Sequence, residues 1–274
     1  MSVKLIAVDM DGTFLNDRKQ YDTKRFAQLF EEMKQQKIKF VVASGNQFFQ
    51  LASFFPDHYQ EIDFVAENGA NILSGTQDIF HHKMSEEVLQ KTIGLLERLA
   101  PELLIVCGKK SAYVLEDMSE ADLQAAAFYY PVIKKVASFN QLDDDIFKLA
   151  LTFKKEDAEY ALQELKSLLQ GELVPVTSGH DGDIDLILPG VHKAQGLNLL
   201  QKRLSIKKNE IAAFGDHGND LEMLQLAGYS FAMGNARSEI KEVARYQIGD
   251  NNSSAVLDTI EQLLLDPSVF QTEN

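Results

Sequence analysis

The sequence predicts an α/β fold in which both ends of the chain build a doubly wound parallel sheet and the middle forms an α+β insertion. Three observations lead there. Residues 3–8, 38–43 and 211–214 are short and almost continuously apolar, the pattern of parallel strands buried on both faces. Helical periodicity follows: Phe26, Leu29, Phe30 and Met33 stand at i, i+3, i+4 and i+7, and Leu197, Leu200 and Leu204 repeat the theme. Such strand–helix alternation is what a doubly wound sheet requires. In the middle the period changes: Phe147, Leu149, Leu151 and Phe153 alternate with Lys148, Ala150 and Thr152, as in an antiparallel strand with one wet face.

Taken in order, the first strand ends at Asp9, and the helix carrying Phe26 and Met33 leads to the second strand. That strand opens a further helix containing Phe48, Leu51 and Ala52. In the insertion, residues 103–107 and 112–115 flank Gly108-Lys109-Lys110-Ser111 and read as a hairpin. Residues 173–177 and 184–188, on either side of Ser178-Gly179-His180-Asp181-Gly182, read as a second strand pair. The insertion therefore spans about 83–188, leaving 1–82 and 189–274 for the α/β core. After residues 211–214 come a helix near 220–226, a strand at 229–233, a helix at 239–245 and a last helix through Leu257, Ile260 and Leu264. The Asp143-Asp144-Asp145 run reads as a solvated turn.

Composition narrows the function. With 274 residues, 45% hydrophobic and 25% charged, the chain is an ordinary globular one, large enough to fold without a staple. A single cysteine, Cys107, excludes an internal disulfide and cysteine-ligated metal centres, and its apolar strand makes it a packing residue. No apolar run approaches the ~20 residues of a membrane helix, and the charged amino terminus is no signal peptide, so a cytoplasmic location is expected. The net charge of −14 argues against nucleic acid and anionic lipid as partners. An anionic small substrate would then need a locally positive site.

Such a site is suggested at three strand ends. Asp9-Met10-Asp11-Gly12-Thr13 directly follows the first strand, where open α/β sheets bind their ligands. Two acids crowded there repel unless a cation intervenes, although a turn with an Asp cap would also account for them. Gly215-Asp216-His217-Gly218-Asn219-Asp220 follows the strand at 211–214. An N-cap explains one of its aspartates, but not paired acids after two separate buried strands. A hard divalent cation, Mg2+, explains both. Ser44-Gly45-Asn46 offers a hydroxyl and an unobstructed amide at a helix start, an anion site or a plain N-cap. Lys193 would supply a point charge.

The order Asp-x-Asp-Gly-Thr, Ser-Gly, Lys, Gly-Asp-x-x-Asn-Asp resembles the four motifs of haloacid dehalogenase-like phosphatases. Asp9 and Ser44 are 35 residues apart and Ser44 and Lys193 are 149 apart, so a large insertion fits only after the second motif. That spacing resembles the Cof-type branch (subclass IIB), with a Rossmann-like core and an α+β cap. Ser44-Gly45-Asn46-Gln47, Ser53-Phe54-Phe55-Pro56, Glu67-Asn68-Gly69-Ala70, Val176-Thr177-Ser178-Gly179 and the run from Ser230 to Ala236 look like bacterial sugar phosphatases of that branch.

The resemblance implies a Mg2+-dependent phosphatase for small phosphorylated metabolites, sugar phosphates first, with FMN, pyridoxal phosphate and nucleotides as alternatives. By it, Asp9 is the nucleophile that becomes an aspartyl-phosphate, and Asp11 is the general acid and base. Asp9, the Asp11 main-chain carbonyl and Asp216 would hold Mg2+, with Asp220 and Asn219 ordering its surroundings. Ser44, the amides of Met10 and Gly45, and Lys193 would grip the phosphoryl oxygens. The cap would close over the site and choose the substrate.

Asn46 departs from the Arg that many relatives carry after Ser/Thr-Gly, which favours neutral, hydroxyl-rich leaving groups. Lys148 reads as a solvated strand lysine in preference to a substrate contact, and His217 as a loop filler. Asp181-Gly182-Asp183-Ile184-Asp185 imitates a calcium loop, but Leu186 and His192 stand where its Gly and Glu belong. Asp11 argues against a dehalogenase, since a halide leaves without a proton. A phospho-receiver domain would be about half this length, and a sugar-phosphate sensor that binds without turnover needs no Asp11.

Overall fold

The computed structural model describes residues 2–177 and 182–270; all but Gly182 of the turn expected at 178–182, with the start of the calcium-like run, lies outside the described residues. The chain opens with β1 (Leu5–Val8), α1 (Thr23–Gln35), β2 (Lys39–Ala43), α2 (Phe48–Ser53), β3 (Asp63–Ala66), β4 (Asn71–Ser74) and β5 (Gln77–His81). It continues through α3 (Glu86–Leu99), β6 (Leu103–Gly108), β7 (Ala112–Leu115), α4 (Glu120–Ala127), β8 (Ile133–Val136), β9 (Ile146–Thr152), α5 (Ala158–Leu169), β10 (Val174–Thr177) and β11 (Asp183–Ile187). It closes with α6 (Lys193–Arg203), β12 (Ile211–Gly215), α7 (Leu221–Leu226), β13 (Tyr229–Ala232), α8 (Ser238–Val243), β14 (Tyr246–Gln247) and α9 (Ala255–Leu265).

The chain divides into two compact units, one of Met1–Ser44, Asp57–Ile79 and His192–Asn274, the other of Gly45–Pro56 and Phe80–Val191. The stretch after Ser44, read from sequence as core, thus groups with the insertion. In the first unit the strands follow the order β14-β13-β12-β1-β2-β3-β4. They are parallel from β14 to β3, and β4 returns antiparallel to β3. β1 is flanked by β2 on one side and β12 on the other, so the winding reverses there; this is the switch point at which doubly wound sheets bind ligands. All four residues of β1 are buried, as a two-faced burial demands of a continuous apolar run. α1 starts where the Asp22 carboxylate caps the Arg25 N–H (3.0 Å) and buries Phe26, Leu29, Phe30 and Met33, the stripe read from the sequence.

The second unit holds a sheet of order β10-β11-β9-β6-β7-β8, antiparallel except for β7 beside β8. The expected hairpin appears as β6 and β7, with Val106 opposite Tyr113. One face of the sheet, with Val106, Leu149, Leu151, Ile184 and Leu186, packs against α3 and α5. The other carries Ile105, Cys107, Ala112 and Val114 under Ala126 of α4, so Cys107 is a packing residue.

The wet face expected for β9 is closed at Lys148, while Ala150 and Thr152 stay partly exposed. Lys148 is 3% exposed and its diagonal neighbour Asp185, on β11, is 4% exposed. The Lys148 ammonium donates to Asp185 Oδ2 (3.0 Å) and to the Gly45 carbonyl (2.8 Å), and pairing of this kind is what makes a buried lysine tolerable. The solvated reading of Lys148 is therefore corrected: alternation reports which residues face opposite ways, not whether a second layer covers the polar side.

Candidate active site

Asp9 extends β1 by one residue. Its N–H donates to the Phe214 carbonyl (3.1 Å) and its own carbonyl accepts from the Phe14 N–H (3.2 Å), which fixes the backbone on both sides of the side chain. Met10 is buried, and its carbonyl accepts from the Thr13 and Leu15 N–H groups (3.3 and 2.9 Å), folding the motif into a tight turn. Gly12 sits at φ +76°, and a Cβ there would lie 2.5 Å from Asp216 Oδ2. Only glycine satisfies both demands, and its absence of a side chain brings the loops after β1 and β12 together. Thr13 then donates its hydroxyl to Asp216 Oδ1 (2.7 Å).

The loop after β12 is organised by Asp220, whose Oδ2 accepts from the Asp216 and His217 N–H groups, both at 3.0 Å. Its other oxygen accepts from Lys193 Nζ (2.6 Å), and the same ammonium donates to Asp9 Oδ1 (2.5 Å). Lys193 opens α6 and has no exposed surface. Asp9, Asp216 and Asp220 each present a carboxylate oxygen within 4.8 Å of the others.

The electrostatics follow from burial. Desolvation pushes the Asp9 carboxyl well above the ordinary aspartate value; Lys193 opposes this, while Asp220 and Asp216 add to it. The Asp216 carboxyl is pushed up to about 6, first by burial and then by Asp220, against the Thr13 hydroxyl and Lys193. Burial alone would drain the Lys193 ammonium of its proton, but Asp220 and Asp9 outweigh it and hold the lysine charged. His217 is lowered by burial and by Arg237, consistent with a neutral loop residue.

Three largely buried carboxylates face one ammonium, and the ligand atoms they offer are all oxygens. This donor set fits a hard divalent cation such as Mg2+, whose binding would offset the desolvation and the mutual repulsion that raise Asp9 and Asp216.

The structure brings Asp9, Lys193, Asp216 and Asp220 into one cluster. The Asp11 carboxylate stands apart, half-exposed and paired with Lys19 (2.5 Å), a partner that no motif announces. Ser44 is buried at the end of β2; its N–H donates to the Val65 carbonyl and its own carbonyl accepts from the Asn68 N–H, both at 3.0 Å. Gly45 follows it and accepts from Lys148. Asn219 donates its Nδ2 to Asn68 Oδ1 (3.1 Å). Reading by motif leaves out Thr13, Lys19 and Asn68; Thr13 and Asn68 lie inside recognised motif strings, whereas nothing in the sequence signals Lys19.

A family model described as haloacid dehalogenase-like hydrolase matches residues 6–260. The chain is 46% identical over 272 residues to the 5-amino-6-(5-phospho-D-ribitylamino)uracil phosphatase YbjI of Escherichia coli, covering 98% of this chain and 99% of that one. It is 27% identical over 294 residues to the phosphatase YwpJ of Bacillus subtilis, covering 96% of this chain and all of YwpJ. Among solved structures, SMU.1108c of Streptococcus mutans superposes with a TM-score of 0.89 at 38% identity, over 97% of this chain and 100% of that one.

Proposed function

The chain belongs to the haloacid dehalogenase-like hydrolases, and on that premise we propose a Mg2+-dependent phosphatase that hydrolyses small, hydroxyl-rich phosphomonoesters through an aspartyl-phosphate. The observation that carries this reading is the buried bridge from Asp9 through Lys193 to Asp220, with Asp216 in the same cluster. It supplies a nucleophilic carboxylate, a fixed cation and an oxygen cage at the carboxyl ends of the strands.

In the proposed reaction an Asp9 carboxylate oxygen attacks phosphorus. The ester P–O bond breaks, and Asp11 gives its proton to the departing alkoxide, so that an alcohol leaves. Asp11 then takes a proton from water, whose oxygen attacks the aspartyl-phosphate and returns phosphate and free Asp9. Lys193, Ser44 and the Met10 and Gly45 amides bind the phosphoryl oxygens while charge moves across them. Asp9, the Asp11 carbonyl, Asp216 and Asp220 would hold Mg2+, with Asn219 ordering its surroundings. When bound, the cation neutralises charge on the phosphoryl group as it transfers.

The name of the 46% identical relative gives the first substrate to try, 5-amino-6-(5-phospho-D-ribitylamino)uracil, whose phosphate sits on a sugar-alcohol chain. The test is phosphate release from that compound and from sugar, flavin, pyridoxal and nucleotide phosphates, with Mg2+ and with EDTA. Asp9→Asn should abolish release while the fold is kept. Asp11→Asn should lose most with alkyl phosphates and least with an activated aryl phosphate, whose leaving group needs no proton. Binding of Mg2+ without release from any ester would leave a sensor in place of an enzyme.

A further inference from the structure

The turn between β3 and β4 carries three consecutive residues in the left-handed region: Glu67 at φ +51°, Asn68 at +55° and Gly69 at +101°. Glutamate gains nothing from that conformation, and such backbone persists only where its surroundings impose it, most often beside a functional site. Glu67 and Asn68 are both buried.

The surroundings are three of the segments assigned to the chemistry. The Asn68 N–H donates to the Ser44 carbonyl (3.0 Å). Asn68 Oδ1 accepts from Asn219 Nδ2 (3.1 Å). At Gly69 a Cβ would stand 2.5 Å from the His192 carbonyl oxygen, so the turn abuts the residue before Lys193. These partners are distant from the turn in sequence, by as many as 151 positions for Asn219, yet one pair of adjacent residues meets all three. We infer that Asn68 is a positioning residue: it ties Ser44 to Asn219 and thereby fixes the loop that presents Asp216 and Asp220.

The inference rests on the reading of the site given above, though its physical content is a coupling between two side chains. Asn219 lies between Asp216 and Asp220, and its carboxamide has a defined direction because Asn68 accepts from it. Without that acceptor the loop samples other arrangements, and ordering the carboxylates around a cation becomes costlier. Partners behind metal-binding groups carry about 10- to 100-fold in metal affinity or activity.

Asn68→Gly is the decisive variant, because glycine adopts the left-handed conformation freely while deleting the carboxamide. The Mg2+ concentration that gives half-maximal thermal stabilisation should rise about 10- to 100-fold, and kcat should fall by a similar factor with KM little changed. Unfolding temperature in EDTA should stay near that of the parent chain. Asn68→Asp keeps the acceptor oxygen and should retain the parent Mg2+ midpoint within about threefold, on the same coupling. Asn68→Gly combined with Asn219→Ala should be no worse than Asn219→Ala alone, since both remove one interaction. A parent-like Mg2+ midpoint in Asn68→Gly, additive losses in the double variant, or an Asn68→Asp midpoint displaced as far as that expected for Asn68→Gly would each overturn the role. The midpoints decide this without turnover, so an absence of phosphate release in the parent chain would count against the phosphatase reading alone.

Discussion

Lys193→Met removes the cation that two buried carboxylates share while roughly preserving side-chain length. The ammonium sits 2.5 Å from Asp9 and 2.6 Å from Asp220, whose side chains are 9% and 0% exposed. Removing one member of a buried ion pair costs about 3–5 kcal/mol, because the remaining charge stays desolvated. With one lysine serving two acids, the upper end applies, about 5 kcal/mol. At roughly 2–3 °C per kcal/mol for a chain of this size, the metal-free protein should melt about 10–15 °C lower. The loss should depend on pH. In the parent chain Lys193 is held above its ordinary value, so its contribution is fully present below about 10 and flat between about pH 5 and 8. In the variant Asp9 loses its counter-charge; raised further, its carboxyl contributes stability at low pH that is lost as pH climbs through its folded value. The gap should therefore be small at about pH 5 and large at about pH 8. Mg2+ should close part of it by neutralising the same carboxylates. Thermal unfolding by circular dichroism at both pH values, in EDTA and in Mg2+, measures all of this. Equal destabilisation at the two pH values would refute the electrostatic account and leave a packing defect.

The parent chain carries its own pH signature. Burial, and then Asp220, push the Asp216 carboxyl up to about 6, so its contribution to metal-free stability is complete below about pH 3.8 and lost as pH rises through about 6. That shift is worth on the order of 3 kcal/mol. Mg2+ needs the ionised carboxylate, so the rise in Tm that it produces should grow between about pH 5 and 7.5; a constant rise would count against Asp216 as a ligand. Gly12→Ala places a methyl 2.5 Å from Asp216 Oδ2 on a left-handed backbone. A displacement of about 1 Å at the reacting groups costs about 100-fold in turnover, and parent-like kcat would show that the loops can part without harm. Lys148→Met takes the ammonium away from the buried Asp185 carboxylate and should cost about 3–5 kcal/mol in chemical denaturation, whereas Lys148→Met with Asp185→Leu should recover most of it. If the double variant is as unstable as the single one, the pair matters for something other than its charge.

What the sequence reveals about this site depends on whether geometry is local. Asp9 and Asp11 occupy one turn, and Asp216 and Asp220 another, so strand-end position and spacing suffice to pick them out. Lys193 is ambiguous alone and becomes legible only with the other motifs around it. The parallel strands are readable because burial on both faces writes a continuous apolar run. Lys148 misleads for the complementary reason: a polar residue in an alternating strand looks the same whether water or Gly45 and Asp185 lie above it. The Asn68–Asn219 bond joins residues 151 positions apart, and the Lys19–Asp11 pair depends on the path of a loop. Neither arises from a periodicity, so neither is written in one.

The placement of β1 also has a consequence for how the chain is made. Leu5 pairs with Ile211, so one neighbour of the central strand is synthesised long after it. At about 5–20 residues per second, the nascent chain carries an apolar strand with an unfilled edge for roughly 10–40 s. During that interval β2 can cover one side, but the edge destined for β12 offers unpaired N–H and C=O groups to any other strand nearby. The all-antiparallel part of the second unit, from β6 through β9 to β11, is complete before β12 emerges and closes over shorter loops. Synthesis of the segment from 193 to 220, which brings Lys193, Asp216 and Asp220 to Asp9, is thus also what removes the aggregation-prone edge.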